Sequence, residues 1–410
     1  MQINLHGKSV LLAVTGSISV YKACDLARLF VKAGAQVHVV MTPAAERFVS
    51  ARTFEALTRN PVLTESSESW SSELNHIDMG KKCDVCVVAP ATANTINKLS
   101  QGFADTILTQ TILAFNKPIL LAPAANTAML DNVFTRESME KLLKNGYRII
   151  QPQEKLLACG DVGSGALAEP EEIFYASAKA LLSDTFWEGR AVVVTGGGTR
   201  EKIDEVRYVS NFSSGKMAKA LCLSLYLKGA NVTYITSMGS EALPEDISTI
   251  AANDAEEMFN ATKEATAVAK QTNSEKEPYL FMVAAVADYT AADPKEGKLK
   301  KVNLGKSWNI EMKQTTDILA SLDKSGMKTI AFKAEMDSKE GLNNAVALLS
   351  NKGVDAVCYN LLQDATSFGG NENEITFISK EAQVPLDRAD KLTLSGKILT
   401  EAKKLIEELS

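Results

Sequence analysis

The sequence predicts an α/β protein with two domains, each built around a mainly parallel sheet. Apolar, β-branched segments alternate with helical segments along the chain, which is the pattern of a parallel sheet wrapped by helices. A chain of 410 residues is too long for one ordinary core. A short polar link at residues 183–190 separates two runs of alternation. We therefore expect domains at residues 1–187 and 188–410, with the boundary near Trp187.

Composition and charge favour a globular enzyme over a nucleic-acid-binding or membrane protein. The chain is 45% hydrophobic and 23% charged, and its net charge of −6 argues against nucleic acid or an anionic membrane as a partner. It has no apolar run of membrane-spanning length and no basic, signal-like start, so we expect a cytoplasmic protein. The six cysteines are scattered, as in reduced cytosolic proteins. Cys83 and Cys86 form a CxxC pair, but without a second pair neither zinc nor redox chemistry is favoured.

The first half alternates strands with helices. The predicted strands are residues 9–14, 36–41, 85–89, 118–122 and 147–150, and the predicted helices include residues 20–32 and 171–182. Parallel sheets bind ligands beyond the carboxyl ends of their strands. Small and polar residues lie at those ends, at residues 15–19, 42, 90–94 and 123–126. The first turn offers hydroxyl and N–H groups suited to a phosphate, and residues 91–94 suit a flat polar ring.

His76 is the histidine best placed to face a site. The chain has three histidines, and His38 lies inside a predicted strand, which suggests a structural role. His76 follows a Ser- and Glu-rich stretch and precedes a strand. A pKa near neutrality suits proton transfer, so His76 is a candidate base, with a structural role as the alternative.

A glycine-rich stretch opens the second half. Residues 192–194 suit a buried strand, and Gly196, Gly197 and Gly198 follow directly. A second turn at residues 213–216 ends in Lys216 and opens a helix over residues 217–227, and a helix N-terminus beside a lysine is an anion site. The two turns suggest a pocket for a phosphorylated ligand, although a ligand-free corner has the same pattern. Neither the Walker A nor the Gly-x-Gly-x-x-Gly motif is present.

The remainder of the second half continues the alternation. Further strands are predicted at residues 231–236, 279–283, 329–332 and 355–358, a polar loop at residues 271–277, and an amphipathic helix at residues 392–409. Residues 297–301 contain three lysines. They are predicted to form a mobile flap, and the simpler alternative is a solvated basic loop.

Motifs in both halves resemble known families. The first half contains, in order, TGSISVYK, NHIDM, APATANTINKLSQGFADTILT, APAANTAML and LACGDVGSGALAEP, and it resembles the flavin-containing phosphopantothenoylcysteine decarboxylases. The second half contains TGGGTREKIDEVRYVSNFSSGK, AAVADY, KLKK, AFKAE and FGGNENEITFI, and it resembles the phosphopantothenate–cysteine ligases. Together they resemble the bifunctional proteins of bacterial coenzyme A biosynthesis. This implies two Rossmann-like three-layer domains, the first a flavodoxin-like flavoprotein domain and the second a ligase domain.

The resemblance implies FMN as the cofactor of the first half. The positions that match FMN-binding residues, starting with those around the phosphate, are Gly16, Ser17, Ile18, Ser19, Thr42, Thr92, Ala93, Asn94 and Ala124. His76 matches the active-site histidine, Asn126 the asparagine that binds the substrate carboxylate, and Cys159 the cysteine of a flap over the substrate. Oxidation of the substrate thiol by FMN would let CO2 leave, and the flap thiol would then protonate the product.

Two positions in the first half depart from the family pattern Pro-x-Met-Asn-x-x-Met-Trp. Ala125 stands in place of methionine and Leu130 in place of tryptophan, whereas Asn126 and Met129 are kept. Residues 165–167 also differ from the Arg-Met often found there. Since the losses are apolar, we expect altered packing under the site with its chemistry retained.

The resemblance implies CTP-driven amide formation in the second half, through an acyl-cytidylate. Lys298 matches a flap lysine that stabilises the phosphates, and Asn211 matches the asparagine that holds the acyl intermediate. The positions that match the nucleotide site are Gly196, Gly197, Gly198, Ala284, Asp288, Lys298, Thr316, Asp317, Ile318, Leu319, Phe332 and Lys352. Leu348 replaces an expected lysine. A Mg²⁺ ion should screen the triphosphate, but its ligands are not assigned.

The sequence leaves three functional interpretations open. The first is the bifunctional enzyme, acting on 4′-phosphopantothenate, cysteine and CTP. The second is an active ligase whose flavin domain binds FMN but is impaired as a decarboxylase, which Ala125 and Leu130 motivate. The third is a nucleotide-dependent oxidoreductase, motivated by the two glycine-rich turns. For the first, the resemblance implies a homo-oligomer with trimeric flavin sites and dimeric ligase domains.

Overall fold

The chain folds into two compact units. The computed structural model describes residues 1–156, 162–272, 275–300, 304, 306–337, 340–362 and 369–407. The units comprise residues 2–182 and 183–410. Residues 183–187 therefore group with the second unit. The reason is that Trp187, only 2% exposed, packs edge-on against Tyr279 with ring centroids 4.9 Å apart.

The first unit alternates strands with helices. Its strands are β1 (Ser9–Val14), β2 (Gln36–Met41), β3 (Val62–Leu63), β4 (Val85–Ala91), β5 (Ile119–Pro123), β6 (Arg148–Ile149), β7 (Gln153–Leu156) and β8 (Val162–Ala166). Its helices are α1 (Val20–Lys32), α2 (Pro43–Glu46), α3 (Ala51–Thr58), α4 (His76–Lys82), α5 (Ala93–Gln101), α6 (Ile107–Leu113), α7 (Thr127–Leu130), α8 (Val133–Lys144) and α9 (Pro170–Leu182).

The first sheet has six strands in the order β3-β2-β1-β4-β5-β6. All neighbouring strands pair in parallel. This is the Rossmann order, in which the direction of winding reverses between β1 and β4. Every residue of β4 is buried, as expected for a central strand covered by helices on both faces. β7 and β8 form a separate antiparallel hairpin.

The second unit has the same alternation. Its strands are β9 (Ala191–Gly196), β10 (Glu201–Lys202), β11 (Tyr208–Val209), β12 (Asn231–Thr236), β13 (Ser248–Ala251), β14 (Tyr279–Met282), β15 (Tyr289–Ala291), β16 (Met312–Gln314), β17 (Lys328–Glu335), β18 (Ala356–Leu361), β19 (Glu372–Ser379) and β20 (Gln383–Asp390). Its helices include α10 (Lys216–Leu227), α11 (Ala255–Thr272), α12 (Ile318–Ser321), α13 (Gly341–Asn351) and α14 (Lys391–Glu407).

The second sheet repeats the Rossmann order and extends it. Its eight strands run β13-β12-β9-β14-β17-β18-β19-β20. The six strands from β13 to β18 are parallel, whereas β18, β19 and β20 pair antiparallel. The winding reverses between β9 and β14, both of which are fully buried. The predicted class, two Rossmann-like domains with mainly parallel sheets, is confirmed.

Two local details differ from the sequence predictions. The polar loop predicted from residue 271 starts later, because α11 continues to Thr272 through a run of good helix formers. Residues 273 and 274 lie outside the described part of the chain. The antiparallel strands β19 and β20 had no predicted counterpart.

The CxxC pair lies in the core of the first unit. Cys83 and Cys86 are both fully buried, in the cluster of apolar residues that includes Val88, Leu108 and Leu121. Burial raises the pKa of the Cys83 thiol to about 12, so it stays protonated at neutral pH. The pair therefore packs as small apolar side chains.

Candidate functional site

The first candidate site is a cavity of about 1050 Å³ at the point where the first sheet reverses its winding. The carboxyl ends of β1 and β4 lead directly into it. It is lined by all the residues that were expected to bind FMN, namely Gly16, Ser17, Ile18, Ser19, Thr42, Thr92, Ala93, Asn94 and Ala124. Asn126, expected to hold the substrate carboxylate, lines the same cavity.

The turn after β1 has the features of a phosphate cradle. A Cβ on Gly16 would lie 2.5 Å from the Cβ of Ala44, so only glycine lets this turn approach the neighbouring segment. Ser19 begins α1 but makes no capping hydrogen bond with its side chain. The N–H groups of Val20 and Lys22 donate to the carbonyl oxygens of Ser17 and Ser19, both at 3.0 Å. Because no side chain caps the N-terminus of α1, an anion can approach it.

The turns after β1 and β4 are held together by Thr15, which the sequence analysis placed in the first turn without assigning it a role. Its hydroxyl donates to the carbonyl oxygen of Pro90 at 2.6 Å and accepts from the N–H of Thr92 at 3.0 Å. Thr92 in turn caps α5 by accepting from the N–H of Thr95 at 3.4 Å. The only sequence signal for this role of Thr15 was its position directly after the first buried strand.

Asn126 is held between the sheet and the β7–β8 hairpin. Its Oδ1 accepts from the N–H of Ala128 at 2.9 Å and so caps α7. The N–H of the preceding residue, Ala125, donates to the carbonyl oxygen of Gly165 in β8 at 3.2 Å. A Cβ on Gly165 would overlap the backbone of Ala125, so the close fit of the hairpin requires glycine. Cys159, between β7 and β8, lies outside the described residues.

The two departures from the family pattern lie where altered packing was expected. Ala125 lines the cavity itself. Leu130 is buried, with 5% of its surface exposed. Neither position carries a polar group that the chemistry would lose.

Two lysines at the cavity share one carboxylate, and neither was assigned a role from the sequence. Lys22 on α1 and Lys155 on β7 both line the cavity, and both pair with Glu169. The hydrogen bond from Lys155, together with Lys22 at 3.3 Å, holds the pKa of Glu169 below its usual value. This cluster ties the hairpin to the first turn of α1.

His76 does not line the cavity. It begins α4, and its Nδ1 lies 2.9 Å from Oε1 of Glu68. The ring of Trp70 meets the imidazole edge-on with centroids 5.6 Å apart, and Trp70 is 66% exposed. The structure of a single chain thus orients His76 but does not bring it to the predicted flavin residues.

The second candidate site is a cavity of about 530 Å³ at the corresponding reversal point of the second sheet. The loops after β9 and β14 form part of its wall. Among the residues expected at the ligase site, those that line it are Gly197, Asn211, Ala284, Asp288 and Phe332. The family resemblance assigned these residues to the nucleotide and acyl site, and the fold brings them together from segments that are far apart in the chain.

Hydrogen bonds hold the loop after β14 in place. Thr195 Oγ1 accepts from the N–H groups of Val283 at 3.2 Å and Ala284 at 3.3 Å. Asn211 donates from Nδ2 to the carbonyl oxygen of Val286 at 2.9 Å. A Cβ on Gly198 would lie 2.7 Å from the carbonyl oxygen of Asn211, so the glycine allows the two segments to meet. Gly196 and Gly198 thus support the cavity without lining it.

Five further residues expected at the nucleotide site lie outside the lining of this cavity, namely Thr316, Asp317, Ile318, Leu319 and Lys352. The N–H of Thr315 donates to the carbonyl oxygen of Asp288 at 3.0 Å, which holds the adjoining Thr316–Leu319 segment next to the cavity wall. Asp317 caps α12 and forms an ion pair with Lys352. Burial alone would raise the pKa of Asp317, but Lys352 and the N–H of Ala320 lower it overall. Ile318 is buried and Leu319 packs against the core.

Lys298 is exposed and does not line the cavity. Its neighbour Leu299 is fixed by the buried carboxylate of Asp204, which accepts from the N–H of Leu299 at 3.1 Å. The Arg207 guanidinium bonds the same carboxylate and holds the pKa of Asp204 well below its usual range. Hydrogen bonds to the Gly297 carbonyl and to Leu299 therefore hold the segment on both sides of the exposed Lys298, and Lys301 lies outside the described residues.

Comparisons with known proteins match both halves of the chain. Residues 2–182 match the family model "Flavoprotein", and residues 187–406 match "DNA/pantothenate metabolism flavoprotein C-terminal domain". A coenzyme A biosynthesis bifunctional protein CoaBC from Bacillus subtilis (strain 168) is 37% identical over 415 residues, which cover 98% of this chain and 98% of that protein. The chain belongs to the family of CoaBC bifunctional proteins of coenzyme A biosynthesis. The Haemophilus influenzae member is 34% identical, over 97% of this chain and 98% of its own.

Solved structures similar to this chain correspond to one half each. A mutant PPC decarboxylase complexed with pantothenoylaminoethenethiol is 35% identical and covers 42% of this chain and 96% of its own, with a TM-score of 0.39. The C-terminal domain of a coenzyme A biosynthesis bifunctional protein CoaBC is 26% identical and covers 55% of this chain and 100% of its own, with a TM-score of 0.43.

Family membership confirms the first of the three interpretations. The chain is a bifunctional enzyme of coenzyme A biosynthesis, with an FMN-dependent decarboxylase half and a ligase half. No comparison favours an impaired flavin domain. Among the described residues, no three His, Cys, Asp or Glu side chains gather as a metal site. None of the described helices is long and apolar enough to cross a membrane.

Proposed function

We propose that the enzyme joins 4′-phosphopantothenate to cysteine with CTP in its second unit, and decarboxylates 4′-phosphopantothenoylcysteine to 4′-phosphopantetheine in its first. The observation that carries this proposal is that all nine residues expected to bind FMN line one cavity and five of the residues expected at the ligase site line another, each cavity at the reversal point of its sheet. Ligands of open parallel sheets bind at such points.

The first cavity fits FMN. Its volume of about 1050 Å³ is at the upper end for a cofactor site. The cradle at Gly16 and the uncapped start of α1 suit the phosphate, and the small side chains of Ala93 and Ala124 leave room for the flat ring. When bound, FMN would supply the oxidation of the substrate thiol that allows CO2 to leave, and the later reduction.

The residues of the chain would orient the substrate and move its protons. Asn126 binds the substrate carboxylate next to the flavin, because it lines the cavity together with the FMN residues. Cys159, which lies between β7 and β8 in the sequence, provides the proton to the product. Lys22, Lys155 and Glu169 hold that hairpin over the cavity. A serine at position 159 should therefore allow CO2 release but leave a product short of two hydrogens.

A second copy of the chain would complete the decarboxylase site with its His76. Within one chain His76 lies away from the cavity lining, although Glu68 and Trp70 give its ring a defined orientation. The exposed Trp70 beside it is an apolar surface that an interface would cover. A homo-oligomer with trimeric flavin sites, as the resemblance implies, accounts for both facts.

The second cavity would activate the carboxylate of 4′-phosphopantothenate. Asp288 and Phe332 line the part that takes CTP, with Asp317 and Lys352 next to it. Asn211 holds the acyl-cytidylate until the cysteine amine displaces CMP. Lys298 covers the phosphates when the flap closes, and Mg²⁺ enters with CTP, held largely by phosphate oxygens. The resemblance implies that these ligase domains work as dimers.

The test is to assay both half-reactions on the full chain. With CTP, Mg²⁺, cysteine and 4′-phosphopantothenate, we expect pyrophosphate release followed by CO2 release. With 4′-phosphopantothenoylcysteine alone, CO2 should appear without CTP. Asn211→Ala should block formation of the amide from the acyl-cytidylate, and Asn126→Ala should block only CO2 release from 4′-phosphopantothenoylcysteine. Pyrophosphate without CO2 would instead indicate a ligase with an impaired flavin domain.

A further inference from the structure

The turn between β10 and β11 carries a buried carboxylate that has no part in the mechanism above. Asp204 is only 2% exposed and lies in this turn, at residues 203–207. The chain that leaves β11 reaches Asn211 two residues after the end of the strand. The segment that contains Lys298 lies against the same turn, so one carboxylate is placed next to two parts of the ligase site.

One oxygen of Asp204 closes the turn itself. Oδ1 accepts from the N–H groups of Val206 and Arg207, both at 2.8 Å. The N–H groups of Ile203 and Asp204 donate to the carbonyl oxygen of Arg207 at 2.9 Å and 3.2 Å. A short aspartate side chain that bonds N–H groups two and three residues further on is a common way to fix a turn. The bonds of Oδ1 therefore remain within the turn.

The other oxygen of Asp204 reaches the segment that contains Lys298. Oδ2 accepts from the N–H of Leu299 at 3.1 Å and from Nε of Arg207 at 3.0 Å. Arg207 also donates from Nη2 to the carbonyl oxygen of Leu299 at 2.8 Å. Both main-chain polar groups of Leu299, the residue directly after Lys298, are thus bonded by the Asp204–Arg207 pair.

The main chain before Lys298 is bonded to the same turn. The N–H of Glu205 donates to the carbonyl oxygen of Gly297 at 3.3 Å. The N–H of Lys295 donates to the carbonyl oxygen of Ile203 at 3.0 Å. Lys298 is therefore an exposed residue whose main chain is held on both sides.

The surroundings of Asp204 strengthen the bonds to Leu299. Arg207, together with N–H groups that include that of Leu299, holds the pKa of Asp204 well below its usual range, so the carboxylate is charged at neutral pH. The Arg207 guanidinium lies 4.8 Å from the centroid of the Trp308 ring, which restricts its orientation. Hydrogen bonds to a charged acceptor that is shielded from water are among the strongest in proteins.

We propose that Asp204 is a positioning residue of the ligase reaction, which holds the main chain on which Lys298 meets the phosphates of CTP. This inference deepens the proposed function and rests on it, because the role of Lys298 is part of that function. A flexible lysine side chain reaches one defined point only if its main chain is fixed, and a displacement of about 1 Å can cost about a hundredfold in rate. Asp204 therefore acts on the formation of the acyl-cytidylate, and it acts through Lys298.

Asp204→Asn tests this role in the full chain. Asparagine has the same shape and keeps one oxygen for the turn, but it places an NH2 group where Oδ2 accepts from Leu299 and Arg207. We expect pyrophosphate release at saturating CTP to slow by at least about tenfold. The KM for CTP should change much less, because the lost interaction is one made in the transition state. CO2 release from 4′-phosphopantothenoylcysteine, in the other unit, should be unchanged.

The matched control is Asp355→Asn. Asp355 Oδ2 accepts from the N–H of Thr329 at 2.8 Å, and its carboxylate lies 3.4 Å from Lys328, but it does not line the ligase cavity. Both variants should melt at a lower temperature than the wild type, and only Asp204→Asn should slow pyrophosphate release. Equal slowing in the two variants would attribute the effect to lost stability and would overturn the proposal.

A double-mutant cycle with Lys298→Gln tests whether Asp204 acts through the lysine. In the Lys298→Gln background, Asp204→Asn should slow pyrophosphate release by less than about twofold further. The full tenfold loss in both backgrounds would overturn the proposal. A normal burst of pyrophosphate followed by accumulation of the acyl-cytidylate would also overturn it, because the effect would then lie at Asn211.

Hydrogen exchange of the wild type keeps the proposal testable if Asp204→Asn fails to fold. The amide of Leu299 should exchange more slowly than those of Lys298 and Lys300, and equal exchange at the three positions would overturn the proposal. Absence of CTP-dependent turnover in the wild type would reject the proposed function, even if the amide of Leu299 is protected. Normal wild-type turnover with an equally fast Asp204→Asn variant would reject only the role of Asp204.

Discussion

The buried hydroxyl of Thr15 joins the carboxyl ends of β1 and β4, because it accepts from the N–H of Thr92 at 3.0 Å and donates to the carbonyl oxygen of Pro90 at 2.6 Å. Thr15 is 1% exposed, so water cannot replace these bonds. The spacing between the phosphate cradle and the ring-binding loop therefore depends on one side chain. A substitution at Thr15 is therefore a direct test of whether this cavity binds FMN.

Thr15→Val should weaken FMN binding. Valine has nearly the same shape but leaves the Thr92 N–H and the Pro90 carbonyl without partners, which costs about 1–3 kcal/mol for each group. We expect flavin affinity to fall by roughly tenfold or more, as measured by fluorescence titration of apoprotein with FMN. Thr15→Ser keeps the hydroxyl and should bind FMN nearly as the wild type does. Equal affinity in the valine variant would show that the two turns are positioned by other contacts.

A mixture of two inactive chains should recover decarboxylase activity. His76→Asn and Asn126→Ala should each abolish CO2 release while retaining FMN, since the cofactor is held by other residues. If a second copy provides His76, random mixed oligomers should regain on the order of a quarter of the wild-type rate. Coexpression of the two chains with different tags, followed by tandem purification, gives the sample. In the matched control both coexpressed chains, again with different tags, carry both substitutions. No recovery would place His76 in the site of its own chain, or outside the mechanism.

Lys298→Gln should slow the ligase and leave CO2 release from 4′-phosphopantothenoylcysteine intact. Removal of one cation that stabilises a phosphoryl transition state costs about a hundredfold in rate. Lys295→Gln is a suitable control, because Lys295 is exposed on the same segment and pairs with Asp293. The two variants are compared by pyrophosphate release under saturating CTP. Similar rates in both variants would indicate that Lys298 lies on a solvated basic loop and has no role in the ligase reaction.

A fragment that starts at Ser183 should be more stable than one that starts at Glu188. The longer fragment keeps Trp187 against Tyr279, and Phe186, over which the Arg190 guanidinium lies at 4.0 Å from the ring centroid. Loss of a buried tryptophan typically costs about 3–5 kcal/mol. Thermal unfolding of both fragments, with CTP-dependent ligase activity as the second readout, tests this. Equal melting temperatures would favour the boundary at Trp187 that the sequence suggested.

Local sequence predicted the parts of the sites that follow directly from a strand. The FMN turns come immediately after β1, β2, β4 and β5, so recognition of the strands also located the residues at their carboxyl ends. In the ligase cavity, Gly197 likewise follows a recognised strand, whereas Ala284 and Asp288 were assigned through the family resemblance. In each case the first site residue comes one or two residues after the end of its strand.

What the sequence could not predict depends on contacts between distant segments. Lys391 stands just before the terminal helix predicted at residues 392–409, and only the packing of α14 on α10 brings it to the same cavity as Lys216. The Glu169 carboxylate meets Lys22 across the whole first unit, which no local pattern shows. His76 was recognised as a candidate base from its surrounding sequence and then from its family match, but neither signal predicted that it would lie away from the cavity lining in a single chain.

The three tryptophans of the chain occupy very different surroundings, which gives the protein a built-in optical readout. Trp187 is enclosed by aromatic rings in the second unit and Trp308 lies under the Arg207 guanidinium, whereas Trp70 is exposed and touches His76. Emission from Trp70 should therefore be red-shifted and should shift to the blue if another copy of the chain buries it. Emission from Trp187 should stay blue until the second unit unfolds. Replacement of Trp308 would leave one tryptophan in each unit. Burial of Trp70 in an oligomer and unfolding of the second unit could then be followed in one sample from their different emission wavelengths.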